Sequence, residues 1–218
     1  MSACADVPIE TARSRRVAAL SAPERRLYAW VVEQFARRGR PGRDELAAAA
    51  AALGVDLARA LATLARLDLL HRGGDGEIAV AYPFSGQATA HRVSIDGADE
   101  VFAMCAIDAL GIAPMLGLPT EVVSSDPVSG GEVWVRIDPG DGAWWEPETA
   151  VVLDGRTCAG GPSFRSCCET IRFFESGENA VAYRLAHPQV RGEALALPQA
   201  IEAARLIFGD LLREARAG

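Results

Sequence analysis

Two short segments hold the residue types that could do chemistry. In VFAMCAIDALGI, Val101, Cys105, Asp108 and Ile112 fall at i, i+4, i+7 and i+11, which predicts one face of one helix with Cys105 and Asp108 as neighbours. The stripe is otherwise apolar, so Asp108 is expected to point inward, where a carboxylate must find a partner or take up a proton. A buried acid beside a thiol can pass a proton to or from a reacting atom. The same residues also suit a plainer role, Cys105 as a small core side chain and Asp108 as a backbone cap. The second segment is FRSCCETIRFF, where Cys167 and Cys168 stand side by side as a loop enters a strand. Packing seldom calls for adjacent thiols, whereas a redox pair or a site for a soft, thiophilic ion does.

The remaining residues of these types argue for less. Five cysteines (Cys4, Cys105, Cys158, Cys167 and Cys168) are an odd number with no CxxC pair, which speaks against a disulfide framework and a zinc finger. Cys158, in RTCAGGP, and Cys4 read as bystanders. His71, His91 and His187 lack metal-ligand spacing and read as structural or solvated. Trp144-Trp145 could line a pocket or pack at a strand edge. The stretches GGDG, SGG and CAGGP lack the strand-to-helix setting and the ending of a phosphate loop, so no nucleotide site is assigned. The opening MSACADVPIETARSRR lacks the basic-then-apolar order of a secretory signal. The longest apolar run, Leu46 to Val55, is about half the roughly 20 residues of a membrane-spanning helix. A cytoplasmic location with reduced thiols and no membrane partner is expected.

These residues need a scaffold, and the chain has the means for one. Its 218 residues are 50% hydrophobic and 23% charged, which excludes a disordered chain and allows a sizeable core. No lysine is present, so all 22 basic residues are arginine. Charge divides the chain: residues 10–72 carry 12 Arg against 7 acidic residues, and residues 73–218 carry 10 Arg against 21. In the basic part, Ser21 and Glu24 form a capping-box pattern before APERRLYAWVVEQFARRG, a second helix runs from Arg43 to Leu53, and Asp56 can cap a third through Leu67. Strand, turn and strand around residues 73–76 complete a winged-helix pattern. The third helix offers only Arg59, Thr63 and Arg66 to DNA, so nucleic acid is not expected as a partner and a docking or covering module is.

From Thr89 the pattern becomes α+β. Strands are expected in ATAHRVSID, TEVVSS, GEVWVRID, TAVVLDG and ETIRFFES, and helices over Gly97 to Leu110, Glu178 to Ala186 and Pro198 to Ala215. The last helix carries a core stripe of Ile201, Ala204, Leu206, Phe208, Leu211 and Leu212. The expected organisation is a tail over residues 1–18, a winged-helix-like three-helix segment over 19–86, and a mostly antiparallel sheet with packed helices over 87–218.

Set together, FAMCAIDALGIAPMLG, TEVVSSDPVSGGEV, CCETIRFF and a long carboxy-terminal helix resemble the organomercurial (alkylmercury) lyases of bacterial mercury resistance. The resemblance covers nearly the whole chain, and its most specific element is C-A-[IL]-D together with a cysteine ahead of a paired Phe, which selects Cys168 before Phe173-Phe174. It implies cleavage of a carbon–mercury bond with Cys105, Asp108 and Cys168 as catalytic residues and as ligands to the mercury of substrate and product. Cys167 stands as the substitute for the second thiol. Two thiolates on R–Hg⁺ would make the carbon basic, and Asp108 would take a proton from a cysteine and deliver it to that carbon. The family needs no bound cofactor; Hg(II) is the bound product, released to small external thiols or passed to a mercuric reductase. The chain departs from some relatives at Asp126-Pro127, where they carry a further cysteine, and at Met104, where they carry Trp. The alternative is a non-lytic soft-metal binder or a DNA-binding sensor. Asp108 discriminates, because binding needs thiols only.

Overall fold

The computed structural model describes residues 16–157, 163 and 168–216. The basic part holds the helices α1 (Ala22–Arg38), α2 (Arg43–Ala52) and α3 (Leu57–Arg66). Their ends are set by the expected residues: the Ser21 amide donates to Glu24 Oε2 at 3.0 Å, and Asp56 Oδ1 accepts from the Arg59 amide at 3.0 Å. Each helix turns an apolar face inward, with Leu27, Val31 and Phe35 of α1 and Leu61 and Leu64 of α3 fully or nearly buried.

The hairpin β1 (Leu70–Arg72) and β2 (Ile78–Ala81) follows. It does not stand apart as a free wing, because β3 (Phe84–Ser85) pairs with β2 on one side and with β5 (Val101–Ala103) on the other. With β4 (His91–Ile95), β6 (Thr120–Ser125), β7 (Glu132–Asp138) and β8 (Gly142–Glu146), these strands form one antiparallel sheet in the order β1-β2-β3-β5-β4-β6-β7-β8. Along β7 the burial alternates, as one covered face requires. A second antiparallel sheet, β10-β9-β11, joins β9 (Val151–Arg156), β10 (Arg172–Phe174) and β11 (Arg191–Ala196). Helices α4 (Ala106–Leu116), α5 (Gly177–Ala186), α6 (Leu197–Phe208) and α7 (Leu211–Arg216) complete the α+β fold.

Two expected elements are corrected. The apolar segment read as a helix from Gly97 to Leu110 is strand β5 followed by α4, so Val101 and Cys105 do not share a helical face with Asp108. Val101 and Phe102 are β-formers that pair with β4. The carboxy-terminal helix is broken between Phe208 and Leu211 into α6 and α7, and Leu206 of its expected stripe is 48% exposed while Ile207 is buried. Strands β8 and β11 carry too little apolar alternation to be recognised; β8 is an edge strand with Trp144 exposed and Trp145 packed on the core.

Helix α4 is buried almost all round, between the large sheet and α6. Gly111 makes the contact with α6 possible, since a Cβ there would fall 2.2 Å from the Phe208 ring. Among the described residues, no single helix is long and apolar enough to cross a membrane.

Candidate active site

Cys105 is the last extended residue before α4, at φ −153° and ψ 177°, and acts as its N-cap. Its sulfur accepts the Asp108 amide hydrogen at 3.4 Å, the bond that Ser or Asp usually supplies at this position. Its S–H in turn donates to Asp108 Oδ2 at 2.9 Å. The pair is a reciprocal cap built from a thiol and a carboxylate three residues apart, so the two are neighbours by capping rather than by helical periodicity.

Cys168 reaches the same carboxylate from sixty residues away. Its Sγ lies 3.8 Å from Asp108 Oδ2 and 3.9 Å from the Tyr82 hydroxyl. The main chain on either side is tied down: the Cys168 amide donates to the Ser163 carbonyl at 3.0 Å, and the Ala106 amide at the start of α4 donates to the Ile171 carbonyl at 3.1 Å. One ligand atom from each of Cys105, Asp108 and Cys168 lies within 4.8 Å of the other two. Two metal–sulfur bonds of roughly 2.3 Å each reach about 4.6 Å, close to the upper limit of that spacing, so the two sulfurs are placed to share one soft ion. All three residues are at most 3% exposed.

The Cys105 thiol is pushed up to about 11, by burial first, with the Cys168 hydrogen bond opposing and the neighbouring Asp108 carboxylate adding to the rise. The helix N-terminus favours a thiolate there, but it does not outweigh the loss of water. Cys105 therefore carries its proton at neutral pH, with a base 2.9 Å away to receive it. Behind the site, His91 is held down to about 3, by burial first and by Arg172 second. It is a neutral ring bonded to Ser124 Oγ at 2.9 Å and set edge-on to Phe173.

The structure thus brings together Cys105, Asp108 and Cys168; Cys167, Cys158 and Cys4 lie outside the described residues. One residue at the site escaped the sequence reading. Tyr82 is fully buried and 86 residues from Cys168, a separation that no local pattern encodes. Asp126 is 1% exposed, and its Oδ2 accepts from the Glu175 amide at 2.8 Å and from Asn179 Nδ2 at 2.7 Å, tying the β6–β7 turn to the end of β10 and to α5.

The alkylmercury lyase (MerB) family model matches residues 84–209, more than half of the chain and all three clustered residues. The chain belongs to the alkylmercury lyase family. Among solved structures it is similar to the mercury-bound form of MerB2, with a TM-score of 0.76 and 20% identity, over 94% of this chain and 98% of that one. That likeness extends the shared fold through the amino-terminal helices, beyond the span matched by the family model. No curated protein matches the chain.

Proposed function

We infer that this member of the alkylmercury lyase family is an organomercurial lyase that cleaves the carbon–mercury bond of alkyl- and arylmercury compounds by protonolysis. What carries the reading is one carboxylate and two sulfurs, out of solvent and within 4.8 Å of one another. Cys105 gives its proton to Asp108 as its sulfur bonds to R–Hg⁺, and Cys168 adds the second sulfur. Two thiolates push electron density onto the carbon, which takes the proton from Asp108 as the carbon–mercury bond breaks. The balance is R–Hg⁺ plus two thiols giving R–H, mercury held by two thiolates, and one proton. Asp108 works as base and then as acid, a part that a thiol-only binder would not need. Small thiols extract the product ion, and a mercuric reductase is the partner that would receive it.

The test is benzene release from phenylmercury in excess cysteine, followed by gas chromatography. Cys105→Ala and Cys168→Ala are each expected to abolish release, and Asp108→Ala to stop it while mercury binding persists; Cys167→Ala is expected to retain it. Full activity in any of the first three variants rejects the assignment.

A further inference from the structure

We propose that Asp68, at the end of α3, is a positioning residue for the reaction: through Ser163 it holds the main chain of Cys168 against the Cys105–Asp108 pair. The proposal rests on the lyase reading for its consequence in catalysis, but its geometry stands by itself.

The two thiols are held differently. Cys105 is locked by its own cap on α4. Cys168 lies in a turn ahead of β10. Its amide donates to the Ser163 carbonyl at 3.0 Å. Ser163 is gripped by Asp68: its amide lies 3.3 Å from both carboxylate oxygens, and its hydroxyl donates to Oδ2. The carboxylate is braced from the other side by Arg16 Nη1 at 2.9 Å and by His71 Nε2 at 2.7 Å. The edge of the same His71 ring meets Tyr82, whose hydroxyl lies 3.9 Å from the Cys168 sulfur. The helical segment therefore supports the second thiol at both its main chain and its sulfur.

The backbone of Asp68 is a second, independent observation. It stands at φ 54°, in the left-handed region. The amide of Leu69 bonds to the Leu64 carbonyl at 2.9 Å and that of Asp68 to the Ala65 carbonyl at 3.0 Å, which is the Schellman arrangement that ends a helix. Glycine is the usual occupant of that position, because it adopts positive φ without strain. Here the position carries a side chain instead, and its carboxylate reaches 95 residues along the sequence to Ser163. Asp68, His71 and Tyr82 all precede the residues matched by the family model.

The experiment compares Asp68→Asn, Ser163→Ala, Ser163→Thr and the double variant Asp68→Asn/Ser163→Ala with the unaltered protein. Asn tolerates the left-handed backbone and keeps the size of the side chain, so α3 should still stop correctly. Two readouts are taken, kcat and KM for phenylmercury, and retention of mercuric ion alone against a cysteine competitor. For Asp68→Asn, kcat is expected to fall by about tenfold to a hundredfold, the effect of misplacing one reacting group by roughly 1 Å, with KM changed far less. Mercuric ion retention should weaken by about tenfold or more, because the ion then depends on one well-placed sulfur. Ser163→Ala should shift both readouts the same way, Ser163→Thr should restore them, and the double variant should be no worse than Asp68→Asn. A folded Asp68→Asn variant with unaltered kcat and mercuric ion retention overturns the proposal, as do additive losses in the double variant. If Asp68→Asn does not fold, the Ser163 pair decides, with equal behaviour of Ala and Thr overturning it. Failure of the unaltered protein to release benzene rejects the lyase reading instead, and mercuric ion retention still tests the clamp.

Discussion

Alkaline unfolding gives a direct measure of how strongly the site excludes water. Cys105 is buried, and its thiol is pushed from 9.0 to about 11, with desolvation as the leading cause. A folded-state value above the unfolded one means that folding favours the protonated form. The resulting stabilisation is complete below pH 9.0 and disappears as the pH rises through about 11. Two units at about 1.36 kcal/mol each amount to roughly 3 kcal/mol. The absence of lysine leaves this window unusually clear, since only tyrosines and the other cysteines titrate there, and a variant lacking Cys105 retains them all. The measurement is urea unfolding under reductant, followed by circular dichroism, for the unaltered protein and for Cys105→Ala across this pH range. Removing the sulfur has its own cost, but that cost does not depend on pH. The difference in unfolding free energy between the two proteins should therefore change by roughly 3 kcal/mol across the window, with the unaltered protein losing the more. A difference that stays constant would refute the reasoning, because the folded state would then not discriminate against the Cys105 thiolate.

Two further outcomes follow from buried polar groups outside the thiol pair. His91 is lowered from 6.5 to about 3, so its contribution is present above pH 6.5 and is lost as the pH falls through about 3; His91→Phe should flatten acid unfolding in that range by roughly 4–5 kcal/mol, read from urea midpoints at successive pH values. Asp126→Ala strands the Glu175 amide and the Asn179 side-chain amide in a covered turn, and is expected to lower stability by about 1–3 kcal/mol in chemical denaturation, with Asp126→Asn falling between the two. An unchanged midpoint in Asp126→Ala would show that the β6–β7 turn is held by other contacts.

Much of the scaffold is legible where the instruction is local. Ser21 with Glu24 and Asp56 with Arg59 announce helix starts within three residues, and the structure forms those bonds. The alternation of GEVWVRID marks β7 for the same reason. The segment around Cys105 misleads because it is apolar throughout: a short inner strand and a buried helix give the same run of hydrophobic residues, and the turn between them carries no Gly or Pro. The nearness of Cys105 to Asp108 is legible all the same, since a spacing of three serves a cap as well as a helical face. What no local pattern carries is the approach of Cys168, Tyr82 and Ser163, which depends on chain separations of 60, 86 and 95 residues. The doublet of Cys167 and Cys168 marks a soft-ion site by residue type, the resemblance of the whole motif set selects Cys168 from it, and nothing in either points to Asp68.

The reciprocal cap of Cys105 and Asp108 lies within one turn of helix, whereas Cys168 arrives from a remote part of the chain. A mercury ion held by the two sulfurs is therefore a cross-link, closing a loop of roughly 60 residues much as a disulfide would and restricting the unfolded chain by about 4 kcal/mol. The substrate closes no such loop when it first attaches through one sulfur; the loop closes once the second sulfur joins, ahead of carbon–mercury cleavage. Turnover would begin on a chain without this staple and end on a chain that has it, so the product complex resists unfolding more than the free protein until an incoming thiol removes the ion.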